Sequence, residues 1–340
     1  MEKKPFLVDV PVRVNVWIRP EAQRKQFEIL RQARPSIMFL ISDGGRNQAE
    51  WAAIRQNRAL FDNEIDWECT VYKLYEEKNN GLYTMSRKGA ALIWSVVDRC
   101  IFLEDDNIVS VSYFQFAAEL LEKYKDDTRI VCICCMNHAG IWEKASSDYF
   151  FSERGPICGQ ATWKRSYENR DFSFEYGKDP YVLDLLNKKI AKDRSFRKTV
   201  NGYASNPLYG NHVPGGEFFS RLSVYSQNQL YIVPKYNMMS NIGCTDTSEH
   251  SNEYFLLPRG IRRIFNMKTY EYNFPLKHPK YILSDDNYMD FEDKILCRNR
   301  PIRSFFRRIE VLLLFLRYRG LTGVIWKITK RINKRKKVET

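Results

Sequence analysis

Four short apolar runs, at 12–17, 36–41, 69–74 and 101–103, alternate with segments of helical spacing, and this alternation limits the folds open to the chain more than any other feature. Between the first two runs, residues 21–33 place Phe27, Ile29 and Leu30 among charges, the pattern of an amphipathic helix. Trp51, Ile54, Arg55 and Arg58 repeat that spacing after the second run, and 84–97 repeat it after the third. Pro20 ends the first run, and Pro35 breaks the helix before the second. A strand–helix alternation of this kind predicts an α/β fold, with a Rossmann-like, mostly parallel sheet and helices on both faces. A further helix is expected over 113–124 and a fifth strand over 130–135.

Ligands of open α/β sheets sit beyond the carboxyl ends of the strands. Three of those ends are polar here: Arg19, then Ser42-Asp43-Gly44-Gly45-Arg46, then Glu104-Asp105-Asp106-Asn107. Three successive carboxylates repel one another and form strand poorly. Hard divalent ions such as Mg²⁺ or Mn²⁺ take oxygen ligands and commonly share them with phosphates, so the cluster reads as a metal–diphosphate site. The same residues also fit a solvated acidic turn in which Asp106 or Asn107 caps the helix that follows. The chain has neither a Walker-A sequence nor a GxGxxG, so phosphates would need a metal and basic side chains. Arg87 and Lys88 are candidates for that contact; they equally fit a solvated helix face.

The 340 residues suffice for one large or two modest domains, and a 44% hydrophobic fraction is that of a globular protein. The net charge of +13 is concentrated at one end. Residues 298–340 hold 14 Lys/Arg against two Glu, which leaves residues 1–297 at +1 and argues against a body-wide nucleic-acid surface. In the tail, Phe305, Ile309, Leu312 and Leu316 follow helical spacing, as do Leu321, Ile325, Ile328 and Ile332, with Gly320 and Gly323 between the two sets. Arg and Lys fill the other positions, and Lys334-Arg335-Lys336-Lys337 closes the run. Basic amphipathic helices of this type lie on anionic membrane surfaces. No apolar run approaches the roughly 18 residues of a membrane span, and residues 1–6 hold no signal-peptide core. The eight cysteines form no pair of CxxC units and are expected to be reduced core residues of a cytoplasmic protein.

The second half is richer in aromatics, Gly and Pro. Residues 155–164 read as a loop entering a short helix, 215–225 as a helix opening on Gly215-Gly216-Glu217, 229–233 as a strand and 241–251 as a polar loop. Three segments are expected: a donor-binding half (1–140), an acceptor-binding, catalytic half of the same domain (141–296), and a membrane-associating tail (297–340).

With these motifs in order, the chain resembles the GT-A glycosyltransferases, most of all the N-acetylglucosaminyltransferase I group (glycosyltransferase family 13) and related bacterial polysaccharide transferases. The resemblance rests on the strand ending in Arg19, on Ser42-Asp43, on Glu104-Asp105-Asp106 and on Asn137-His138-Ala139-Gly140. It continues through Gly159-Gln160-Ala161-Thr162-Trp163-Lys164-Arg165 and through Pro234-Lys235-Tyr236-Asn237 with Ser240-Asn241-Ile242-Gly243, covering roughly residues 10–250. It implies that Arg19 and Asp43 contact the nucleotide base, Asp105 the ribose and Glu104 the donor sugar, and that Asp106 holds Mn²⁺ or Mg²⁺ on the donor diphosphate. His250 is implied as a further metal ligand. Glu217 stands where an inverting member keeps its catalytic base, although the family usually has Asp beside Trp there; Asp171, Glu175 and Asp179 are the other candidates. The implied activity is metal-dependent transfer from a nucleotide-diphosphate sugar, taken as a UDP-sugar, inverting at the anomeric carbon, to a glycan or lipid-linked acceptor at the inner face of the cell membrane. A sugar nucleotidyltransferase would share the sheet but would carry a glycine-rich loop after the first strand, where Val16-Trp17-Ile18-Arg19-Pro20 has no glycine. A non-catalytic membrane- or nucleic-acid-binding protein acting through its tail is the reading from another class.

Overall fold

The computed structural model describes residues 3–156, 158–211, 213–244 and 254–339. The expected alternation forms: β1 (Val8–Asn15), α1 (Pro20–Ala33), β2 (Pro35–Ser42), α2 (Gln48–Asn63), β3 (Thr70–Tyr75), α3 (Leu82–Val96) and β4 (Arg99–Leu103). β5 (Asn107–Val109), α4 (Ser112–Lys123), β6 (Ile130–Cys134), β7 (Tyr149–Ser152) and β8 (Gln160–Trp163) follow. Then come α5 (Lys164–Glu168), α6 (Pro180–Lys189), α7 (Arg194–Ser205), α8 (Gly216–Ser226), β9 (Leu230–Pro234) and β10 (Met239–Asn241). The last helices are α9 (Arg259–Arg262), α10 (Asp286–Leu296) and α11 (Pro301–Glu339).

The molecule is an α/β protein whose main sheet has the order β3-β2-β1-β4-β8-β6-β9-β7. β1, β2, β3 and β4 pair in parallel, as do β6 and β9, while β8 and β7 run antiparallel to their neighbours. β5 and β10 form a separate antiparallel ribbon. Alternation along the strands sorts the core onto two faces. Val12, Val14, Ile101, Leu103, Ile133 and Ala161 pack with Phe27 and Leu30 of α1 and with Tyr113 and Phe114 of α4. On the opposite face Phe39, Ile41 and Cys100 pack with Ile93 and Trp94 of α3, while Cys132, Cys134 and Tyr231 pack with Val224 of α8 and Tyr288 of α10. A third cluster, Phe174, Phe196, Val200, Tyr203, Phe218 and Leu222, holds α6–α8 together as a helical layer. None of the eight cysteines is in a disulfide.

Two expectations are corrected, and one strand appears that was not expected. Residues 155–164 are not only a loop before a helix, because Gln160–Trp163 is a strand inserted between β4 and β6. Its partners, Cys100 and Cys132 opposite Thr162, are remote in sequence, so nothing local announces it. β7 was likewise unmarked by any local pattern. Neither Asp106 nor Asn107 caps α4: Asn107 belongs to β5, and Glu271 accepts the first amides, from Val111 N (3.1 Å) and Ser112 N (2.7 Å).

In the tail, α11 is broken at Gly320 (φ 64°, ψ −168°), where the sequence places its separator. Before the break, Arg307 donates to the Leu296 carbonyl (3.0 Å), the Glu310 carboxylate accepts from Arg259 N (2.7 Å), and Phe315 is buried, so this side of the helix faces the body. Leu312 turns toward that side and is half-buried; Leu313 takes its place beside Ile302, Phe305, Phe306, Ile309 and Leu316 on an exposed apolar stripe. Among the described residues, no helix is long and apolar enough to cross a membrane.

Candidate active site

Strand order reverses between β1 and β4, since the chain leaves β1 toward β2 and β3 on one side and places β4 on the other. A crevice opens beyond the carboxyl ends of strands at such a reversal. Arg19 follows β1 there, and Glu104-Asp105-Asp106 follows β4.

The acidic turn is held by amides. Asn107 N donates to the Glu104 carbonyl (3.2 Å), and Glu104 N donates to Asn107 Oδ1 (3.1 Å). From α1, buried Gln26 donates Nε2 to the carbonyls of Glu104 (2.8 Å) and Asn107 (3.0 Å). Arg19 Nη1 donates to both oxygens of Asp105 (2.7 Å each) and lies 3.9 Å from Asp106 Oδ2. Asn107 Nδ2 donates to Asp106 Oδ1 (2.8 Å), while Oδ2 accepts no hydrogen bond among the described residues. The β5–β10 ribbon brings Gly243 against this carboxylate: a Cβ at Gly243 would stand 1.8 Å from Asp106 Oδ2.

Three carboxylates thus share one contacting cation, and their proton affinities register the imbalance. Burial pushes the Asp105 pKa up to about 6 against the pull of Arg19. Glu104 opens onto the cleft yet lies deep in the protein, and this desolvation, with Asp106 beside it, pushes its pKa up to about 7. Burial raises Asp106 as well. A site short of positive charge and lined by hard oxygens suits a divalent cation. Among the described residues no three His, Cys, Asp or Glu side chains are grouped to hold a metal, so a cation here would need oxygens from its ligand in addition to Asp106. His250 lies outside the described residues.

Two adjoining cavities meet at Glu104. The smaller, about 200 Å³, is walled by Trp17, Arg19, Asp43, Asn79, Asp105 and Asp106. The larger, about 620 Å³, crosses the sheet face between α3 and the helical layer, with Arg13, Asn15, Glu104 and Gln160 on its floor and Glu217 on its far wall. Asp43 lines the small cavity, but its carboxylate already accepts from Gly44 N (2.9 Å), Asn80 N (2.9 Å) and Gly81 N (2.8 Å), tying two loops together. Arg87 is exposed on α3 and lines neither cavity, and Lys88 pairs with Glu76 (2.6 Å). Glu217, in the first turn of α8, is exposed and makes no hydrogen bond or ion pair among the described residues. The other base candidates are engaged elsewhere. Asp171 accepts from Glu175 N and Tyr176 N, Asp179 caps α6 through Tyr181 N and Val182 N, and Glu175 pairs with Lys178.

Sequence reasoning missed Arg13, Asn15, Gln160 and Arg170, which also line the large cavity. A signal existed for the first two. In Val12-Arg13-Val14-Asn15-Val16 the polar residues share one face of a strand expected to be covered on both sides, where a polar face needs partners.

Gly243→Ala tests the packing of the acidic turn. Its methyl group must displace either the ribbon or the Asp106 carboxylate. The expected outcome is a stability loss of about 1–3 kcal/mol in thermal melts. Divalent-dependent nucleotide binding is expected to fall by about 10- to 100-fold. Wild-type values for both would show that the contact does not position Asp106.

No family model and no curated protein matches the chain. Among solved structures, a mannosyltransferase, PcManGT from Pyrobaculum calidifontis, in complex with GDP-Man and Mn²⁺, matches at 8% identity and TM-score 0.33 over 47% of each chain. S. aureus TarS 1-349 matches at 9% identity and TM-score 0.36 over 68% of this chain and 59% of that one. A UDP-glucose pyrophosphorylase complexed with UDP-glucose matches at 9% identity and TM-score 0.32 over 68% of this chain and 93% of that one. The chain therefore spans about half the length of the mannosyltransferase and three fifths of the TarS chain. Likeness at this level brings neither ligand nor activity to this chain.

Proposed function

We propose that the protein is a metal-dependent, inverting glycosyltransferase of GT-A type that uses a nucleotide-diphosphate sugar, taken as a UDP-sugar, and glycosylates a glycan or lipid-linked hydroxyl. The observation that carries this reading is a pair of adjoining cavities that share Glu104, with Asp105 and Asp106 lining the smaller and an uncommitted Glu217 lining the larger. In-line displacement needs carboxylates on opposite sides of the reacting sugar, supplied by different segments. The ordered strand-end motifs add support for GT-A, and for the N-acetylglucosaminyltransferase I group within it. A nucleotidyltransferase is disfavoured because the β1–α1 connection has no glycine with which to wrap a triphosphate.

In this reading the small cavity takes the nucleoside, with Asp105 on the ribose and the Arg19–Asp105 pair and the Asp43-tied loop as walls. Glu104, where the cavities meet, contacts the donor sugar. Asp106, with His250 as a second candidate ligand, would hold Mn²⁺ or Mg²⁺, and the ion would neutralise the charge gathering on the leaving diphosphate. Glu217 takes the proton of the acceptor hydroxyl as its oxygen bonds to the anomeric carbon. The sugar–phosphate bond breaks with its electron pair staying on the diphosphate, and the configuration inverts. Residues 1–140 act as the donor half and 141–296 as the acceptor half.

Calorimetry with a panel of nucleotide diphosphates, with Mn²⁺, with Mg²⁺ and with chelator, tests the reading. One nucleotide is expected to bind only with metal. If none binds with either metal, the transferase reading fails.

The tail supports peripheral attachment to an anionic surface such as the inner face of the cell membrane, with no role for nucleic acid. The exposed stripe of α11 lies opposite the side that meets the body, and Arg303, Arg308 and Arg317 flank it at helical spacing. Each such cation is worth about 1 kcal/mol near an anionic bilayer. Phe305→Ser together with Phe306→Ser should abolish co-sedimentation with vesicles containing phosphatidylglycerol. Binding that persists in the double variant would show that the stripe is not the docking face.

A further inference from the structure

The larger cavity holds one cation, Arg170, that the metal and nucleotide chemistry does not use, and shares a second, Arg13, with the small cavity. Arg170 and Arg13 both line it, and both are half-buried. Among the described residues neither guanidinium donates a hydrogen bond or reaches a carboxylate within 4 Å. Their described contacts are aromatic: Arg170 over Tyr167 (5.5 Å) and Arg13 over Phe102 (5.6 Å). Glu104 is near enough to act on Arg13 at longer range, but the groups that act on Arg170 are a thiol and two phenols. Arg170 Nε and Arg13 Nε are buried without a partner, as are Asn15 Oδ1, Gln160 Oε1 and Trp94 Nε1 in the same lining.

A guanidinium does not shed its proton, and a half-buried cation without a contacting counter-charge is an unfavourable group for a fold to hold. Unpartnered polar atoms gathered around one cavity need partners, which water or a ligand supplies there. The missing partner of Arg170 is an oxyanion, two of whose oxygens match the guanidinium fork. A cavity of about 620 Å³ has room for a sugar and its attached groups.

We propose that this cavity recognises a sugar bearing a negative group, a carboxylate or phosphate, with Arg170 as its principal counter-charge and Arg13 supporting it. This rests on the glycosyltransferase reading for its context and names the class of sugar that the cleft handles. The negative group has two possible sources, the transferred sugar of the donor or the acceptor sugar. Arg170 stands beside Gly216, at the Glu217 end of the cavity, and is absent from the lining of the small cavity where the nucleotide is placed.

Two calorimetric arms separate the sources. In the donor arm, UDP-glucuronate is compared with UDP-glucose in Mn²⁺. In the acceptor arm, glucuronate and glucose 6-phosphate are compared with glucose, with and without saturating UDP. In one arm the anionic member is expected to bind about 10- to 100-fold tighter, the worth of a charge-assisted hydrogen bond. Arg170→Gln should erase that preference while leaving UDP affinity unchanged, and its melting temperature should equal or exceed wild type because an uncompensated cation is gone. Three outcomes overturn the proposal: equal binding of charged and neutral sugars in both arms; a preference that survives Arg170→Gln; or a variant with a lower melting temperature or weaker UDP binding, which would assign Arg170 to the fold or the diphosphate. Failure of UDP to bind would sink the UDP-sugar assignment instead, failure of every nucleotide diphosphate would sink the transferase reading, and the titrations of free sugars without nucleotide would still decide the anionic subsite.

Discussion

Asp106→Ala is expected to lower the affinity for a nucleotide diphosphate in Mn²⁺ by about 100-fold or more, since loss of a direct ligand should exceed the 10- to 100-fold typical of residues that only orient ligands. The fold should survive. Asp106 Oδ1 holds the Asn107 amide, but Gln26 and the Asn107 backbone fasten the same turn independently. Removing one of three crowded carboxylates also relieves repulsion, because Asp106 is one of the charges that raise Glu104. The metal-free variant should therefore melt no lower than wild type, while losing the stabilisation that Mn²⁺ and nucleotide together confer. Melts with and without Mn²⁺, paired with calorimetry, separate the two effects. A variant that still binds nucleotide in a strictly metal-dependent way would move the ligand role to Glu104.

Glu217→Gln is expected to lower kcat by about 10²- to 10⁴-fold, the usual contribution of a positioned general base. Donor affinity should stay as it was, because Glu217 lies across the larger cavity from the nucleotide walls. The melting temperature should also hold, since the Glu217 side chain has no described partner to lose. This pattern of lost turnover with intact binding and folding separates a base from a structural carboxylate. Asp171 and Asp179 provide the contrast, because Asp171 accepts the amides of Glu175 and Tyr176 and Asp179 caps α6 through those of Tyr181 and Val182. Replacing Asp179 should cost about 0.5–2 kcal/mol of stability, as for other helix caps. If Glu217→Gln turns over at the wild-type rate in single-turnover assays, the base lies elsewhere in the cleft.

Much of the framework was legible from residues 8–134, because it depends on local chemistry. Valines and isoleucines in short runs, prolines at the ends of β1 and α1, and apolar spacing in α1, α2 and α3 each constrain the few residues around them. The acidic turn was legible for the same reason: three carboxylates at the end of a core strand are conspicuous in any context. The break at Gly320 was legible because φ near 64° favours glycine.

Other features depended on residues far apart in the chain. β8 lies between β4 and β6 through pairings that span about 30 to 60 positions, and its four residues carry no periodicity of their own. The choice between a helix cap and a ligand site at Glu104–Asn107 was made by β10, which pairs with β5 and sets Gly243 against Asp106, and by Glu271, which takes over the capping of α4. Asp43 had the right place at a strand end, but the loop at 79–81 turned its carboxylate into a structural tie. The order of apolar and polar residues thus determined the elements and the carboxylates at their ends, since periodicity and turn chemistry act over a few residues. The tertiary structure alone decided which carboxylates stay uncommitted, and that Arg13 and Arg170 meet in one cavity, because partners for buried charge come from whatever the fold packs against them.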